Sequence, residues 1–123
     1  MVPYDYSFKP PAPILEIEAI SPSTGVRRSM LAKLDTAADE TVIPEDLAAD
    51  LNLSLSGQSL TFAFDGMPKL YLSYTIDLII AGRNFVDLEV TAAPIVYILL
   101  GRDVLNELTV TLDGPHLQFE VRS

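Results

Sequence analysis

The 123-residue sequence predicts a mostly β domain with many short strands and two short helices. Three observations carry that expectation. Apolar and acidic residues alternate over Leu15 to Glu18, and "FVDLEV" (85–90) alternates again, the period-two mark of a half-buried strand. Turn pairs such as Asp65-Gly66 and Asp113-Gly114 punctuate the apolar runs. Twice, at 31–51 and 95–108, an apolar strand passes through a tight turn into a short helix. That pairing hints at internal duplication, although the two segments are not similar in sequence.

The elements follow in order. Residues 1–12 carry Pro3, Pro10 and Pro11 among aromatics and read as an extended, loosely ordered arm. Residues 13–123 form one domain, long enough to bury roughly two-thirds of its unfolded surface. "ILEIEAI" (14–20) and "VRRSMLAKL" (26–34) flank Pro22 and Gly25 and predict a hairpin leading into Asp35. In "PEDLAADLNL", Pro44 suits the first helical position, Glu45 and Asp46 favour a helix N-terminus, and Leu47 and Leu51 share a face. "SLTFAF" and "KLYLSYTIDLII" form a hairpin around "DGMP" (65–68), and "AGRN" turns the chain at Gly82. "IVYILL" (95–100) reads as a strand buried on both faces, ending at a helix opened by Gly101. "TVTL", the turn at 113–115 and "HLQFEV" complete the domain.

Composition removes several function classes. Net charge is −9, and Arg27-Arg28 is the only adjacent basic pair, so a nucleic-acid partner is not expected. No cysteine is present, which removes disulfides and thiolate chemistry. The lone histidine, His116, sits in a turn beside Pro115 and supports neither a metal centre nor a serine triad. There is no Gly-rich phosphate loop, and no cofactor is expected. No apolar stretch is long enough to span a membrane, so no membrane partner is expected. Met1 to Pro13 lacks the basic start and apolar run of a secretory signal, and a cytoplasmic location is expected.

Asp35 poses the chemical question. It ends a strand-like segment, small residues follow it, and Asp39 adds a second carboxylate. A turn aspartate bonding its own backbone is one reading. The other is a reactive carboxylate that meets its twin across a twofold axis. Two carboxylates a few ångströms apart share a proton and can activate a water.

"LAKLDTAADETVIP" followed by "YILLGRDVL" resembles the retropepsin-like aspartic proteases. The resemblance covers about residues 13–123 and is nearest to compact bacterial single-domain members. It implies a closed, barrel-like β subunit with one or two short helices, acting as a homodimeric endopeptidase on peptide or protein substrates. Asp35 would supply half of the catalytic dyad, and Thr36 would hydrogen-bond across the twofold axis. Ala37, Ala38 and Asp39 would face substrate. Asp65, Gly66 and Met67 would form the tip of a flap, and Leu99 would line a side-chain pocket. Leu34, Leu100, Gly101 and Arg102 would support the site, with Arg102 pairing Asp39. The last strand, around Leu117 to Val121, would join a sheet with its twin. An acidic pH optimum follows from a shared proton.

The chain departs from the family pattern twice. Ala37 stands where glycine is usual. A left-handed backbone there would charge alanine roughly 1–2 kcal/mol, so the expectation is a slow enzyme that Ala37→Gly accelerates. Lys33 stands where an apolar residue is usual, its stem expected along the wall and its ammonium in solvent. The alternative function is a dimerisation or peptide-binding module of the same fold without turnover.

Overall fold

A computed structural model describes residues 1–62 and 66–123. Among the described residues, ten strands and two helices run in the order β1 (Val2–Pro3), β2 (Ile14–Ile20), β3 (Arg27–Leu34), β4 (Val42–Pro44), α1 (Glu45–Asp50), β5 (Leu55–Phe62), β6 (Pro68–Ile80), β7 (Arg83–Ala93), β8 (Ile98–Leu100), α2 (Arg102–Leu105), β9 (Thr109–Asp113) and β10 (Gln118–Arg122).

The larger sheet runs β2-β3-β8-β4-β7-β6-β5, and β6 also pairs with β2 through Glu18↔Ile79, Ala19↔Leu78 and Ile20↔Asp77. Six strands therefore close into a barrel, and β5 hangs outside the closure. Closure is possible because β6 is long. Its C-terminal part sits in the wall between β7 and β2, while residues 68–72 pair with β5 alone. The β5–β6 hairpin thus extends beyond the barrel.

Strand alternation fills the interior. Ile17, Ala19, Ala32, Leu34, Ile76, Leu78, Ile80, Val90, Ile98 and Leu100 point inward, and nearly all are inaccessible to solvent. Helix α1 lays Leu47 and Ala48 on this core, and α2 adds Val104 and Leu105.

Four expectations are corrected. Pro44 is the residue before α1, in extended geometry, not its first helical residue. Only Ile98–Leu100 of the run 95–100 is a strand, and Val96 is 85% exposed. The bend after Pro94 leaves only Ile98 and Leu100 fully facing the core.

The N-terminal arm is held rather than loose. β1 pairs with β10 (Val2↔Phe119, Pro3↔Gln118), Asp5 bridges Ala12, and the Tyr4 ring lies 6.0 Å from that of Phe119. Finally, β10 lies between β1 and β9 in a separate three-stranded sheet, so its two edges are already paired within the chain.

Candidate active site

The parallel strands β3 and β8 run side by side, with register Ala32↔Ile98, Lys33↔Leu99 and Leu34↔Leu100. Both leave the barrel at the same end. The Asp35 amide extends the ladder one step by donating to the Leu100 carbonyl at 3.0 Å. Leu34 and Leu100 are buried beneath that junction. Asp35 is therefore placed by two core strands, while its side chain stays partly exposed.

The loop after Asp35 is tightly organised. Ala38 N–H donates to the Asp35 carbonyl at 3.2 Å, and Ala37 N–H donates to Asp35 Oδ1 at 3.2 Å. The turn-aspartate geometry is thus realised here. It uses one carboxylate oxygen and fixes the side chain's direction.

Arg102 holds the far side of the loop. Its guanidinium donates to the Thr36 carbonyl at 3.1 Å and to Asp39 Oδ1, and its amide donates to the Ala38 carbonyl at 2.9 Å. Sequence reasoning paired Arg102 with Asp39, but the pair is exposed, with 83% of the Asp39 side chain accessible. Solvent screens such a pair, so its energetic worth is small and its directional role is the larger one.

A second brace has no counterpart in the sequence reading. The Asp103 carboxylate accepts from Thr41 N–H at 3.0 Å, Thr41 Oγ1–H at 2.8 Å and Val104 N–H at 2.9 Å. Thr41 Oγ1 in turn accepts from Gly101 N–H at 3.1 Å, and Thr41 is completely buried. The only signal in the sequence is the acid after Gly101-Arg102, which reads simply as a helix-start residue. Gly101 itself is needed for space. A Cβ there would lie 2.5 Å from the Glu40 carbonyl carbon, although its φ of −88° suits any residue.

Ala37 lies outside the set of non-glycine residues with positive φ, which among the described residues are Asn52, Ala81, Asp87 and Leu117. The expected left-handed strain is absent. Ala37 and Thr36 are exposed, and Ala38 is partly buried.

A groove of about 530 Å³ opens beside the loop, lined by Ala38, Asp39, Glu40, Val42, Tyr71, Thr91 and Ala93. The structure thus brings Ala38 and Asp39 together with Tyr71 of the β5–β6 hairpin. Leu99 is half-buried, and neither it nor Gly66 nor Met67 lines this groove. Gly66 has a φ of +79° and Met67 is exposed just before β6; Asp65 lies outside the described residues. A larger groove of about 760 Å³ between α1 and the hairpin shares Tyr71 but contains no residue of the Asp35 loop. Val42, Tyr71, Thr91 and Ala93 escaped the sequence reading because each looks like an ordinary strand residue. Among the described residues, no cluster of three or more His, Cys, Asp or Glu is placed to hold a metal, and no helix is long and apolar enough to cross a membrane.

No protein-family model and no curated sequence matches the chain. Solved structures do. Simian foamy virus (mac) protease in solution aligns over 76% of this chain and 92% of its own, with 28% identity and a TM-score of 0.58. A retropepsin-like aspartic protease from Rickettsia conorii aligns over 87% and 89%, with 18% identity and a TM-score of 0.62. EIAV protease, solved with the inhibitor HBY-793, aligns over 78% and 86%, with 19% identity and a TM-score of 0.58. These neighbours are aspartic proteases, and the closed barrel described above is the fold they share with this chain.

Proposed function

From a chain with the retropepsin-like fold, we propose an aspartic endopeptidase that acts as a homodimer. The observation that carries the reading is the placement of Asp35. It sits at the shared exit of two core strands, its amide is fixed by Leu100, and its loop is braced from α2 by Arg102 and Asp103.

Such a carboxylate is pre-positioned, which matters for a reaction needing two of them at close range. One chain supplies one candidate, so the second comes from a twin. The pair shares a proton and holds a water. One carboxylate takes the water's proton as the water attacks the scissile carbonyl, while the other donates to the developing oxyanion. The roles then reverse to protonate the leaving nitrogen. Thr36 is exposed on the loop and in this mechanism would bond across the twofold axis. Ala37 and Ala38 leave room for a substrate backbone, and Asp39 and the 530 Å³ groove receive the flanking residues. The β5–β6 hairpin, with Gly66 and Met67 just before its returning strand, serves as the cover.

The test is digestion of a mixed peptide library by the wild-type chain and by Asp35→Asn across a range of pH. New fragments should appear only with the wild type, with an optimum below about pH 6, because a dyad that loses its shared proton loses its acid. Cleavage that survives Asp35→Asn overturns the reading. Peptide binding without cleavage in either form identifies a non-catalytic module.

A further inference from the structure

Lys33 does not lie free in solvent. Its Nζ is 5.3 Å from the centroid of the Phe8 ring and 5.9 Å from that of Tyr97, and the two rings meet edge-to-face at 5.3 Å. Phe8 comes from the N-terminal arm, whose Ala12 is buried, as is Ile14 at the start of β2, both apart from the main core cluster.

Strand geometry fixes where this cluster faces. Ala32 and Leu34 point into the barrel, so Lys33 points out, on the face to which Asp35 belongs two residues later. The register sets Leu99 opposite Lys33, and Tyr97, in the bend before β8, is placed beside Lys33 by its ring. Lys33, Tyr97, Leu99 and Asp35 therefore occupy one outer surface at the strand exit.

The charge on Lys33 is unanswered. Arg27, Arg28, Arg83, Arg102 and Arg122 each have a carboxylate within ion-pair distance, whereas among the described residues Lys9, Lys33 and Lys69 have none; of these three, Lys33 is the one beside Asp35. Two ring faces attract an ammonium, but they leave N–H donors without acceptors. In a chain of net charge −9, this cation is a local exception two residues from Asp35.

We propose that Lys33, held between Phe8 and Tyr97, forms a subsite for an acidic side chain, Glu or Asp, on the peptide segment lying beside Asp35. The inference rests on the peptide-binding reading of the Asp35 site. A carboxylate supplies the counter-charge and acceptors that the cluster lacks, whereas a neutral amide of the same shape gains much less.

The probes are acetyl-Leu-Glu-Leu-amide and acetyl-Leu-Gln-Leu-amide, titrated into the full chain and followed by amide shifts at Lys33, Tyr97 and Leu99. The Glu peptide should bind roughly three- to tenfold more tightly than the Gln peptide. That ratio should fall toward one in high salt, and also as pH drops through about 4.3, where glutamate protonates. Lys33→Met should erase the preference and Lys33→Arg should keep part of it; if the methionine variant is unfolded, the arginine variant and the pH and salt series decide. Equal binding of the two peptides, or a preference that survives loss of the cation, overturns the subsite. So does the absence of any shift at these residues. Cleavage by the wild type is scored separately with the peptide library, so the subsite can fail while the protease stands, and the reverse.

Discussion

At Ala37 the methyl group rests on backbone of ordinary φ, so glycine relieves nothing. Ala37→Gly is expected to leave kcat/KM within about twofold on the same peptide and to lower stability by roughly 0.5 kcal/mol through added freedom of the unfolded chain. A tenfold gain in matched kinetic curves would show that the methyl obstructs substrate. Arg102 is a different case. Its ion pair with Asp39 is exposed and contributes little, but its bond to the Thr36 carbonyl fixes the loop's shape. Arg102→Ala should cost about 1 kcal/mol, near 3–5 °C in Tm, while activity falls by a larger factor because Thr36 loses its place. A variant that melts lower but cleaves normally would assign Arg102 to stability alone.

Two turns make predictions of their own. The β6–β7 connection is a two-residue loop, Ala81-Gly82, between the paired residues Ile80 and Arg83, with φ of 51° and 77°. That is the mirror-image turn suited to strand twist, and alanine is a poor occupant of its first position. Ala81→Asn should raise stability by about 1 kcal/mol, read as a higher melting temperature at unchanged activity. The β9–β10 connection is organised by Asp113, whose carboxyl is held below its usual range, first by the Gln118 side chain and then by His116. A depressed carboxyl stabilises the fold above its unfolded value, near 3.8, and that stability disappears as pH falls through the folded value. Asp113→Asn should therefore lower the melting temperature at pH 7 and make little difference at pH 2. A gap of constant size would refute the linkage.

At this scale the sequence was readable where signals are local. Asp35 between an apolar run and small residues, Gly101-Arg102 after a second run, and the Ala81-Gly82 turn all announce themselves within a few residues. The Thr41–Asp103 brace does not, because it joins positions 62 residues apart through a threonine that reads as loop polarity. Nor does the return of the arm. Prolines predict extension, but pairing with β10 depends on where the far end of the chain arrives. Residues 95–97 misled for the opposite reason: apolar composition suggests burial, whereas burial requires something to pack against.

For the molecule as a whole, the proposed mechanism ties activity to association. Specific activity should rise with concentration through the dissociating range and then level off, as followed by sedimentation and initial rates on one sample. A monomer with full activity would require a second carboxylate within the chain and would end the homodimer mechanism. Net charge of −9 per subunit opposes association, so acid and added salt should each shift the midpoint to lower concentration.

The position of β10 constrains that association further. It has a neighbour on each side, and the shorter of these is the two-residue β1. A short strand at a sheet margin is held by few bonds and acts as a detachable cover over a row of backbone donors and acceptors. Deleting residues 1–3 uncovers that row on every copy at once. The shortened chain should then self-associate at lower concentration than the parent, and a covalent clip joining Pro3 to Gln118 should have the reverse effect. If the proposed dimer forms, the first few residues would act as a thermostat on encounter between copies, setting how crowded the chain must be before two of them engage.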